Sequence, residues 1–338
     1  AAEIAEQPEV FERILRDGAA AAAGVGRVLR ERHPRFVLFA ARGTSDHAAL
    51  YAKYLVELRL GLPAGLASPS TLTAYGARPD LRDVLLVAVS QSGGSPDLVE
   101  TVSVARACGA LTLAVTNAGG SDLANAAELH LDVMAGTERA VAATKSYTAE
   151  LLTLWLVVQS VLGEGAGGAA GVPAAAAALV ARTDEVDALS ARYRFTDRIV
   201  LTGRGYAFPT ALEGALKLME TSYVAAHAFS GADLLHGPLA MIDSDHPVLA
   251  VVPAGVGEAA MRPVLERLHE RGADLTVLGG PASLGFATVG FDLAHGLRED
   301  LAPLVDVIPL QQLALSSAVA RGYDPDRPRG LSKVTETW

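Results

Sequence analysis

The sequence predicts an α/β protein of two similar domains, each a parallel β-sheet covered by helices on both faces. The chain has 338 residues, which suits two domains better than one. Short, continuous apolar runs such as RFVLFA, VLLVAVS and LTLAVTN alternate with amphipathic stretches of helical length. Strands buried on both faces have this unbroken apolar pattern. The alternation therefore predicts a series of βαβ units in each domain.

The order of the predicted elements indicates an internal duplication. The segment EIAEQPEVFERILRDG predicts an N-terminal arm and a first helix within residues 1–30. Residues 163–178 are rich in Gly and Ala and contain a Pro, which predicts a domain boundary. After it, DRIVLTGRGYAFPTALEGA parallels the earlier PRFVLFAARGTSDHAALYA. We predict one domain over residues 31–178, a similar one over 179–325 and a C-terminal tail over 326–338.

Composition and charge argue against several classes of protein. The formal net charge of -10 disfavours a nucleic-acid surface, which needs clustered basic residues. We find no apolar run of the length that crosses a bilayer and no basic segment before an apolar one at the N-terminus, so we expect a cytoplasmic protein without a membrane partner. Cys108 is the single cysteine, and we expect it at a buried helix end rather than as a nucleophile.

Lysine is rare in this chain. Of the 28 basic residues only Lys53, Lys145, Lys217 and Lys333 are lysines, and the others are arginines. Unlike Arg, Lys can lose its proton or form an imine. The last three are therefore candidates for amine chemistry, whereas Lys53 lies in the helical stretch ALYAKYLVEL and is expected to have no such role.

Two loops that follow predicted strands combine glycine with small hydroxyl residues. One contains Gly43, Thr44 and Ser45, the other spans residues 90–95 (SQSGGS), and each runs into a predicted helix. Glycine lets the backbone approach an anion, and the helix N-terminus supplies N–H groups and partial positive charge. Ordinary helix caps would explain one such loop. Two at equivalent strand ends favour a phosphate site.

Other phosphate and catalytic motifs fit poorly. The chain has no G-x-x-x-x-G-K-[ST] sequence, and GRGYAF holds only two glycines of a dinucleotide fingerprint, so a nicotinamide enzyme is a weak alternative. The SQSGG sequence is not a G-x-S-x-G nucleophile elbow. The eight histidines are dispersed without ligand spacing. We therefore predict no cofactor and no metal.

The acid and base candidates lie in the second half. Glu213, Lys217 and Glu220 are spaced i, i+4 and i+7 in ALEGALKLME, so they share one helical face. A solvated salt-bridged stripe is the alternative interpretation, but the helix follows the LTGRG loop and so begins where ligands bind in parallel sheets. His236 lies between apolar residues and a Gly-Pro turn, and Lys333 lies in the tail. Neither is diagnostic alone.

In their order along the chain, several segments resemble the double sugar isomerase (SIS) domain family, and the likeness covers nearly the whole chain. They are EIAEQP, GTS, SQSG, AGTERAVAATKSYT, GRG followed by ALEGALKLME, HGPLAMID and DPDRPRGLSKVT. Within that family, the chain resembles the isomerase half of glucosamine-6-phosphate synthase and its stand-alone deaminase relatives. This resemblance implies two SIS domains, each a flavodoxin-like αβα sandwich.

The resemblance also implies roles for individual residues. It implies Glu220 as the proton-transfer base and His236 as the group that opens the sugar ring, with Lys217 and Lys333 lining the site. It further implies substrate or phosphate binding by Gly43, Thr44, Ser45, Ser90, Gln91, Ser92, Ser95, Val141, Thr144, Lys145, Glu213 and Ser332.

The chain departs from the synthase in ways that shape the expected reaction. It contains no amidotransferase half, so glutamine is not expected to donate nitrogen, and Met219 and Leu235 stand where the synthase has charged residues. We expect conversion of glucosamine 6-phosphate to fructose 6-phosphate and ammonia. A dehydratase or isomerase of an N-acetylhexosamine 6-phosphate and a non-catalytic sugar-phosphate sensor are alternatives. The family also implies a homodimer in which His236 reaches the neighbouring subunit's site.

Overall fold

The computed structural model describes residues 1–333 and divides into two compact units. The N-terminal unit comprises Glu6–Pro173 and residues 330–333, whereas the C-terminal unit comprises Ala1–Ala5 and Ala174–Arg329. Among the described residues, each unit contains one five-stranded parallel sheet flanked by helices. The predicted fold class of two similar α/β domains is confirmed. The first helix, α1 (Ala2–Ala5), belongs to the C-terminal unit.

The sheet of the N-terminal unit is parallel throughout. Its strands are β1 (Phe36–Ala40), β2 (Ala64–Leu66), β3 (Val84–Ser90), β4 (Leu111–Thr116) and β5 (Leu129–Asp132). Their order across the sheet is β2-β1-β3-β4-β5, which is the flavodoxin-like order. Chain order reverses between β1 and β3, and ligands of such sheets bind beyond the carboxyl ends of the strands at that point.

Helices cover both faces of this sheet. They are α2 (Gln7–Arg13), α3 (Ala19–Arg32), α4 (Thr44–Leu55), α5 (Pro69–Thr73), α6 (Pro96–Ala107), α7 (Asp122–Ala126) and α8 (Lys145–Leu162). Helix α6 and α7 contribute Leu98, Val102 and Leu123 to the core on one face. Helix α8 packs against α3 and α4 and is buried along most of its length, including Trp155.

The first thirty residues do not form a separate arm. Residues 6–30 belong to the N-terminal unit, where α2, a π-helical turn (Ile14–Gly18) and α3 pack along α8. The hydroxyl of Thr148 donates a 2.9 Å hydrogen bond to Gln7 Oε1. These contacts join the segment to α8, so its fold depends on the N-terminal unit.

The Gly- and Ala-rich stretch near the middle of the chain is largely helical. It contains a 3₁₀ turn (Ala166–Ala169) and helix α9 (Val172–Val180), and the two units divide between Pro173 and Ala174. Alanine has the highest intrinsic helix propensity, so a run of alanines forms a helix rather than a linker. The predicted boundary after residue 178 and the observed division after Pro173 both fall inside α9.

The C-terminal unit repeats the architecture of the first. Its strands are β6 (Arg198–Gly203), β7 (Ala225–Ser230), β8 (Pro247–Val252), β9 (Asp274–Gly279) and β10 (Val289–Asp292). Its remaining helices are α10 (Thr183–Arg192), α11 (Ala207–Ser222), α12 (Gly231–Leu235), α13 (Val256–Glu270), α14 (Pro281–Leu284) and α15 (Pro303–Ala320). The strand order β10-β9-β8-β6-β7 matches that of the first sheet when β6 is equated with β1 and β8 with β3.

Helix α15 is a buried core helix with the composition of a membrane span. It has 18 residues and a mean hydropathy of 1.2, which alone would allow it to cross a membrane, contrary to the sequence-based expectation. However, 78% of it is buried, and it packs against α10 and α11 of the same unit. A core helix passes the same test of length and composition, so this feature is weak support for a membrane span.

Candidate active site

Two adjacent strands of the N-terminal unit end at the hydroxyl-rich loops. Strand β1 pairs with β3, with Ala40 opposite Ala88, and the loops that follow lead into α4 and α6. Both loops follow strands, as predicted, and the structure makes these two strands neighbours. Arg42 in the first loop forms a 2.7 Å ion pair with Asp97 in the first turn of α6. Asp97 is buried, so this pair fixes one loop against the other.

The loop between β3 and α6 is shaped by its own hydroxyl groups. Ser90 Oγ accepts a 3.1 Å hydrogen bond from the Gly93 N–H, and Ser92 Oγ accepts a 3.3 Å bond from the Gly94 N–H. Gly93 has a φ of 63°, and a Cβ there would lie 2.2 Å from Ser121 Oγ, so only glycine fits. Ser95 precedes α6, but its hydroxyl forms no capping bond. This hydroxyl can therefore bind an anion without the loss of a capping hydrogen bond.

In the loop between β1 and α4, the predicted phosphate ligand Ser45 forms a hydrogen bond with another part of the protein. Gly43 precedes α4 with a φ of 56°, and Thr44 begins the helix. Ser45 Oγ donates a 2.9 Å hydrogen bond to Glu150 Oε1 in α8, and both side chains are buried. The Ser45 hydroxyl therefore positions α4 on α8. Glu150 was not predicted as a site residue, because it lies in an apolar helix without a recognisable motif.

The C-terminal unit offers an internal comparison for the loop between β3 and α6. Its equivalent strand, β8, leads into α13, where the Val256 and Gly257 N–H groups donate bonds of 2.8 Å and 2.7 Å to the two carboxylate oxygens of Glu299. The helix N-terminus at this strand end thus binds an anionic group of the same chain. Glu299 was not predicted, because it lies 42 residues from Gly257.

Glu138 is the centre of a hydrogen-bonded cluster that the sequence analysis missed. Its Oε1 accepts bonds from the Thr144 N–H at 2.9 Å and the Ser146 N–H at 3.1 Å. Its Oε2 accepts bonds from Ser146 Oγ at 2.6 Å and Lys333 Nζ at 3.0 Å. Lys333 also donates to the Ala140 carbonyl at 2.6 Å. The cluster therefore holds the tail lysine against the segment that contains Val141 and Thr144.

The charge of Glu138 is stabilised despite its burial. Burial alone would raise the pKa of this carboxyl group, because desolvation disfavours the charged form. The Lys333 ammonium, the Ser146 hydroxyl and the two backbone N–H groups outweigh burial and lower the pKa below its usual value. Glu138 therefore stays a carboxylate at neutral pH and keeps its attraction for Lys333. Its position within the family segment AGTERAVAATKSYT is the only sequence signal that could have found it.

Two further contacts organise the same region. Lys145 is buried and its ammonium group is paired with the Glu6 carboxylate, so it joins α8 to the start of α2. Asn117 Nδ2 donates a 2.7 Å bond to the Gly136 carbonyl, and the Asn117 N–H donates a 3.1 Å bond to the Gln91 carbonyl. Asn117 therefore links the loop after β3 to the segment before Glu138. Asn117 directly follows β4. It could therefore have been predicted from the sequence, because ligands of parallel sheets bind beyond the carboxyl ends of the strands.

The predicted polar face of α11 is confirmed in the C-terminal unit. Lys217 Nζ lies 3.4 Å from Glu213 Oε1 and 2.5 Å from Glu220 Oε2. Glu213 and Lys217 are fully buried, whereas the Glu220 side chain is 21% exposed. Burial would lower the pKa of Lys217, but the two carboxylates raise it. The row is therefore a buried charge network rather than a solvated stripe.

His236 lies at the surface of the C-terminal unit. It directly follows α12, its N–H donates a 3.0 Å bond to the Asp233 carbonyl, and its side chain is exposed. Met219 and Leu235, the two departures from the synthase pattern, are 42% and 36% exposed. Apolar groups thus adjoin both proposed proton-transfer residues in the sequence. Within residues 1–333, no group of three or more His, Cys, Asp or Glu side chains is arranged to hold a metal ion.

Comparison with known proteins decides the family. Residues 32–160 and residues 193–320 each match the SIS domain. The chain belongs to the SIS domain family. Each SIS segment contains all five strands of one parallel sheet, and the segment boundaries fall outside every strand.

Relatives of this SIS protein include aminotransferases and phosphosugar isomerases. The glutamine–fructose-6-phosphate aminotransferase (isomerizing) of Pyrococcus horikoshii is 32% identical over 343 residues, which cover 98% of this chain and 56% of the relative. The chain thus spans about half the length of the curated relatives it matches.

Two solved structures share the fold over nearly the whole chain. A protein of Silicibacter pomeroyi described as a candidate phosphosugar isomerase is 33% identical, with a TM-score of 0.87 over 96% of this chain and 98% of the other. The C-terminal domain of glucosamine-fructose-6-phosphate aminotransferase from Francisella tularensis is 29% identical, with a TM-score of 0.83 over 96% of each chain. This SIS protein is therefore homologous to the isomerase domain of that aminotransferase.

The SIS fold brings the site residues together in two groups, one in each unit. Hydrogen bonds and ion pairs connect the loops after β1 and β3, the segment around Thr144 and the tail lysine within the N-terminal unit. Glu213, Lys217 and Glu220 form the second group on α11. Ser332 is exposed beside Lys333, and no described contact ties it to the first group.

Proposed function

We propose that this SIS protein interconverts an aldose and a ketose form of an amino-sugar phosphate, acting as a glucosamine-6-phosphate deaminase. The observation that carries the proposal is the row on α11. It presents one partly exposed carboxylate, Glu220, at the end of a buried network with Lys217 and Glu213. A carboxylate that can reach a substrate while its neighbours are fixed is suited to proton transfer.

The loops after β1 and β3 would bind the phosphate of the substrate. Support comes from the hydroxyl of Ser95, which forms no capping bond, and from the Gly93 turn that brings the backbone close. The equivalent helix start in the C-terminal unit already binds the Glu299 carboxylate. Helix N-termini at the switch point of a parallel sheet favour anions.

Glu220 would transfer the proton between carbons. The carboxylate removes the C2 proton of the open-chain aldose, the electrons of that bond form the C1–C2 double bond of an enolamine, and the C1=O π electrons move to O1, which takes up a proton from solvent. The proton then returns to C1 while the nitrogen lone pair forms the C2–N double bond, which gives the ketose iminium at C2. Water then adds to C2 and ammonia leaves, so that fructose 6-phosphate is the second product. His236 would open the sugar ring by moving a proton between the ring oxygen and O1, because an imidazole can both accept and donate near neutral pH.

The two lysines would act as charges rather than as nucleophiles. The two carboxylates raise the pKa of Lys217, so its amine is protonated and cannot form an imine. Lys333 donates hydrogen bonds to the Glu138 carboxylate and the Ala140 carbonyl, so its amine is held in place as a hydrogen-bond donor. Both can therefore stabilise negative charge that develops on the substrate oxygens.

Product analysis tests this function. The purified protein is incubated with glucosamine 6-phosphate, and ammonia and fructose 6-phosphate are quantified. We expect both products in equal amounts and a loss of turnover of about 10²- to 10⁴-fold in Glu220→Gln, the usual contribution of a general base. Glu100→Gln, an exposed position on α6, is the matched control. If neither product forms and the Glu220→Gln protein behaves like the wild type, the proposal is wrong.

A dehydratase or isomerase of an N-acetylhexosamine 6-phosphate is the second candidate. The observation that favours it is the exposure of Met219 and Leu235, which adjoin Glu220 and His236 in the sequence. An apolar side chain can contact the methyl group of an N-acetyl substituent. Removal of the same C2 proton would then allow a C3 hydroxyl to leave as water. Mass spectrometry of products from N-acetylglucosamine 6-phosphate separates this reaction from deamination.

The proposed sensor role and assembly have direct tests. Binding of glucosamine 6-phosphate by calorimetry without any product would favour a non-catalytic sensor. The homodimer, the cytoplasmic location and the lack of nucleic-acid partners stay predictions. Light scattering after size exclusion measures the subunit number.

A further inference from the structure

The N-terminal unit contains a large cavity that the proposed reaction does not use. It has a volume of about 610 Å³ and lies between the sheet and helices α3, α4 and α8. Val37 and Leu85, near the amino ends of β1 and β3, line it. The phosphate loops follow the carboxyl ends of the same strands. Among the described residues that line the cavity, none belongs to either phosphate loop, so the cavity is distinct from that part of the candidate active site.

The walls of the cavity are almost entirely hydrocarbon. Leu29, Phe39, Val87, Leu113 and Leu154 are among the buried side chains that form it. Such walls offer water few hydrogen-bond partners, so water gains little by entering. The volume lies in the range of small-molecule sites, which are mostly apolar with a few polar groups. These walls favour a ligand with a hydrocarbon chain.

The polar side chains that line the cavity are two arginines and one histidine. Arg30, His33 and Arg35 are exposed at one side, and no Asp or Glu is among the lining residues. The whole chain has a net charge of -10, so a cluster without a carboxylate departs from the average surface. Arg30 is also anchored, because its guanidinium donates to the Ser160 carbonyl at the end of α8. Arg30, His33 and Arg35, which form the rim of the cavity, therefore complement an anionic head group.

The local backbone departs from regular structure beside the cavity. Helix α4 continues as a π-helical turn, Val56–Leu60, and both of its end residues line the cavity. Turns of this kind are rare and occur frequently at functional sites, since the extra residue widens the helix. Nearby, α3 and α8 approach so closely that a Cβ on Gly26 would lie 2.4 Å from Ser160 Cβ. This tight crossing fixes the wall on one side.

We propose that this cavity binds a free, single-chain anionic amphiphile of the fatty-acid class, with its chain against the aliphatic walls and its head group beside Arg35 and His33. The inference is independent of the proposed isomerase activity. The hydrocarbon walls favour the alkyl chain of the ligand, and the arginines at the exposed side favour its carboxylate. The finite volume of the cavity limits the length of the chain.

Calorimetric titration of the full chain tests the site with defined probes. Dodecanoate, below its critical micelle concentration, is compared with dodecyltrimethylammonium, which has the same chain and the opposite charge. We expect saturable binding of dodecanoate at one equivalent, at least about tenfold tighter than the cation. From octanoate upward, affinity should rise by up to about fourfold per methylene and then fall once the chain exceeds the cavity.

Variants locate the bound probe. Arg35→Gln should weaken dodecanoate about three- to tenfold, as expected for loss of one charge contact. Arg32→Gln, an exposed arginine nearby that does not line the cavity, should leave the affinity unchanged. Val161→Phe places a ring at a partly exposed lining position and should abolish binding. If Val161→Phe does not fold, Arg35→Gln and the chain-length series still decide.

Three results would overturn the proposal. The first is the absence of saturable dodecanoate binding, and the second is binding that neither Arg35→Gln nor Val161→Phe reduces. The third is evidence that something other than a free fatty acid occupies the cavity. Cosedimentation with phosphatidylglycerol vesicles would indicate a membrane surface, and a concentration-dependent dimer that Val161→Phe dissociates would indicate a second copy of the chain.

Discussion

Lys333 Nζ donates a 3.0 Å hydrogen bond to Glu138 Oε2 across a sequence separation of 195 residues. The same carboxylate accepts bonds from the Thr144 N–H and from Ser146, so one buried group connects the tail to the start of α8. The side chain of Lys333 is therefore positioned by the N-terminal unit.

Loss of this contact should reduce turnover through Lys333. We expect Glu138→Gln and Lys333→Met each to lower kcat/KM for glucosamine 6-phosphate, with the double variant little worse than either single one. A double-mutant cycle should give a coupling free energy of about 1–3 kcal/mol, the range for residues in direct contact. Additive losses would show that Glu138 does not act through Lys333.

Glu138 should make stability depend on pH in the acid range. Because its pKa in the folded protein is lower than its usual value of 4.5, the unfolded chain binds the proton first as pH falls. The stabilisation is thus complete above that value and is lost as pH falls through the folded pKa. Urea unfolding of wild type and Glu138→Gln should show a difference in free energy at pH 7 that shrinks in the acid range below about pH 4.5. A constant difference would contradict this assignment.

The buried lysine of α11 should contribute far more to stability than an exposed one. Lys217→Met leaves two carboxylates of a buried network without their ammonium neighbour, which should cost about 3–5 kcal/mol in the free energy of unfolding. Lys53→Met is the control, because Lys53 forms a partly exposed i,i+4 pair with Glu57 and should cost less than about 1 kcal/mol. Guanidinium unfolding of the two variants measures both values. Equal costs would show that the α11 row is a surface network.

Ser95 and Glu299 should have opposite effects on binding and stability. Ser95→Ala removes a hydroxyl that forms no cap, so the free energy of unfolding should change by less than about 0.5 kcal/mol, while KM rises about tenfold. Glu299→Ala removes both bonds at the start of α13 and should cost about 1–2 kcal/mol without changing KM. Thermal unfolding and steady-state kinetics on both variants provide the comparison. Unchanged KM in Ser95→Ala would exclude this hydroxyl from phosphate binding.

Gly93 should tolerate no side chain. A methyl group there would lie 2.2 Å from Ser121 Oγ at a φ of 63°, so Gly93→Ala must displace the loop and weaken phosphate binding. Gly120→Ala is the matched control, since nothing lies within 4 Å of its Cβ position. Calorimetric titration with inorganic phosphate compares the two. Equal affinity would show that the loop does not bind the anion.

Local patterns in the sequence determined the fold class, the duplication and the positions of the hydroxyl-rich loops. Continuous apolar runs identify strands buried on both faces, and Gly, Ser and Thr after them mark strand ends, because these signals depend on neighbours in the chain. The shared face of Glu213, Lys217 and Glu220 follows from helical spacing alone.

Only the tertiary structure decided which groups meet. It paired Arg42 with Asp97, Glu138 with Lys333, and Glu299 with the start of α13, and it directed the Ser45 hydroxyl toward Glu150. It also placed the division between units inside the alanine-rich α9 and formed an open cavity beside α3 and α8. Partners far apart in the chain have no fixed spacing, so their identity depends on how sheets and helices pack, which periodicity does not encode.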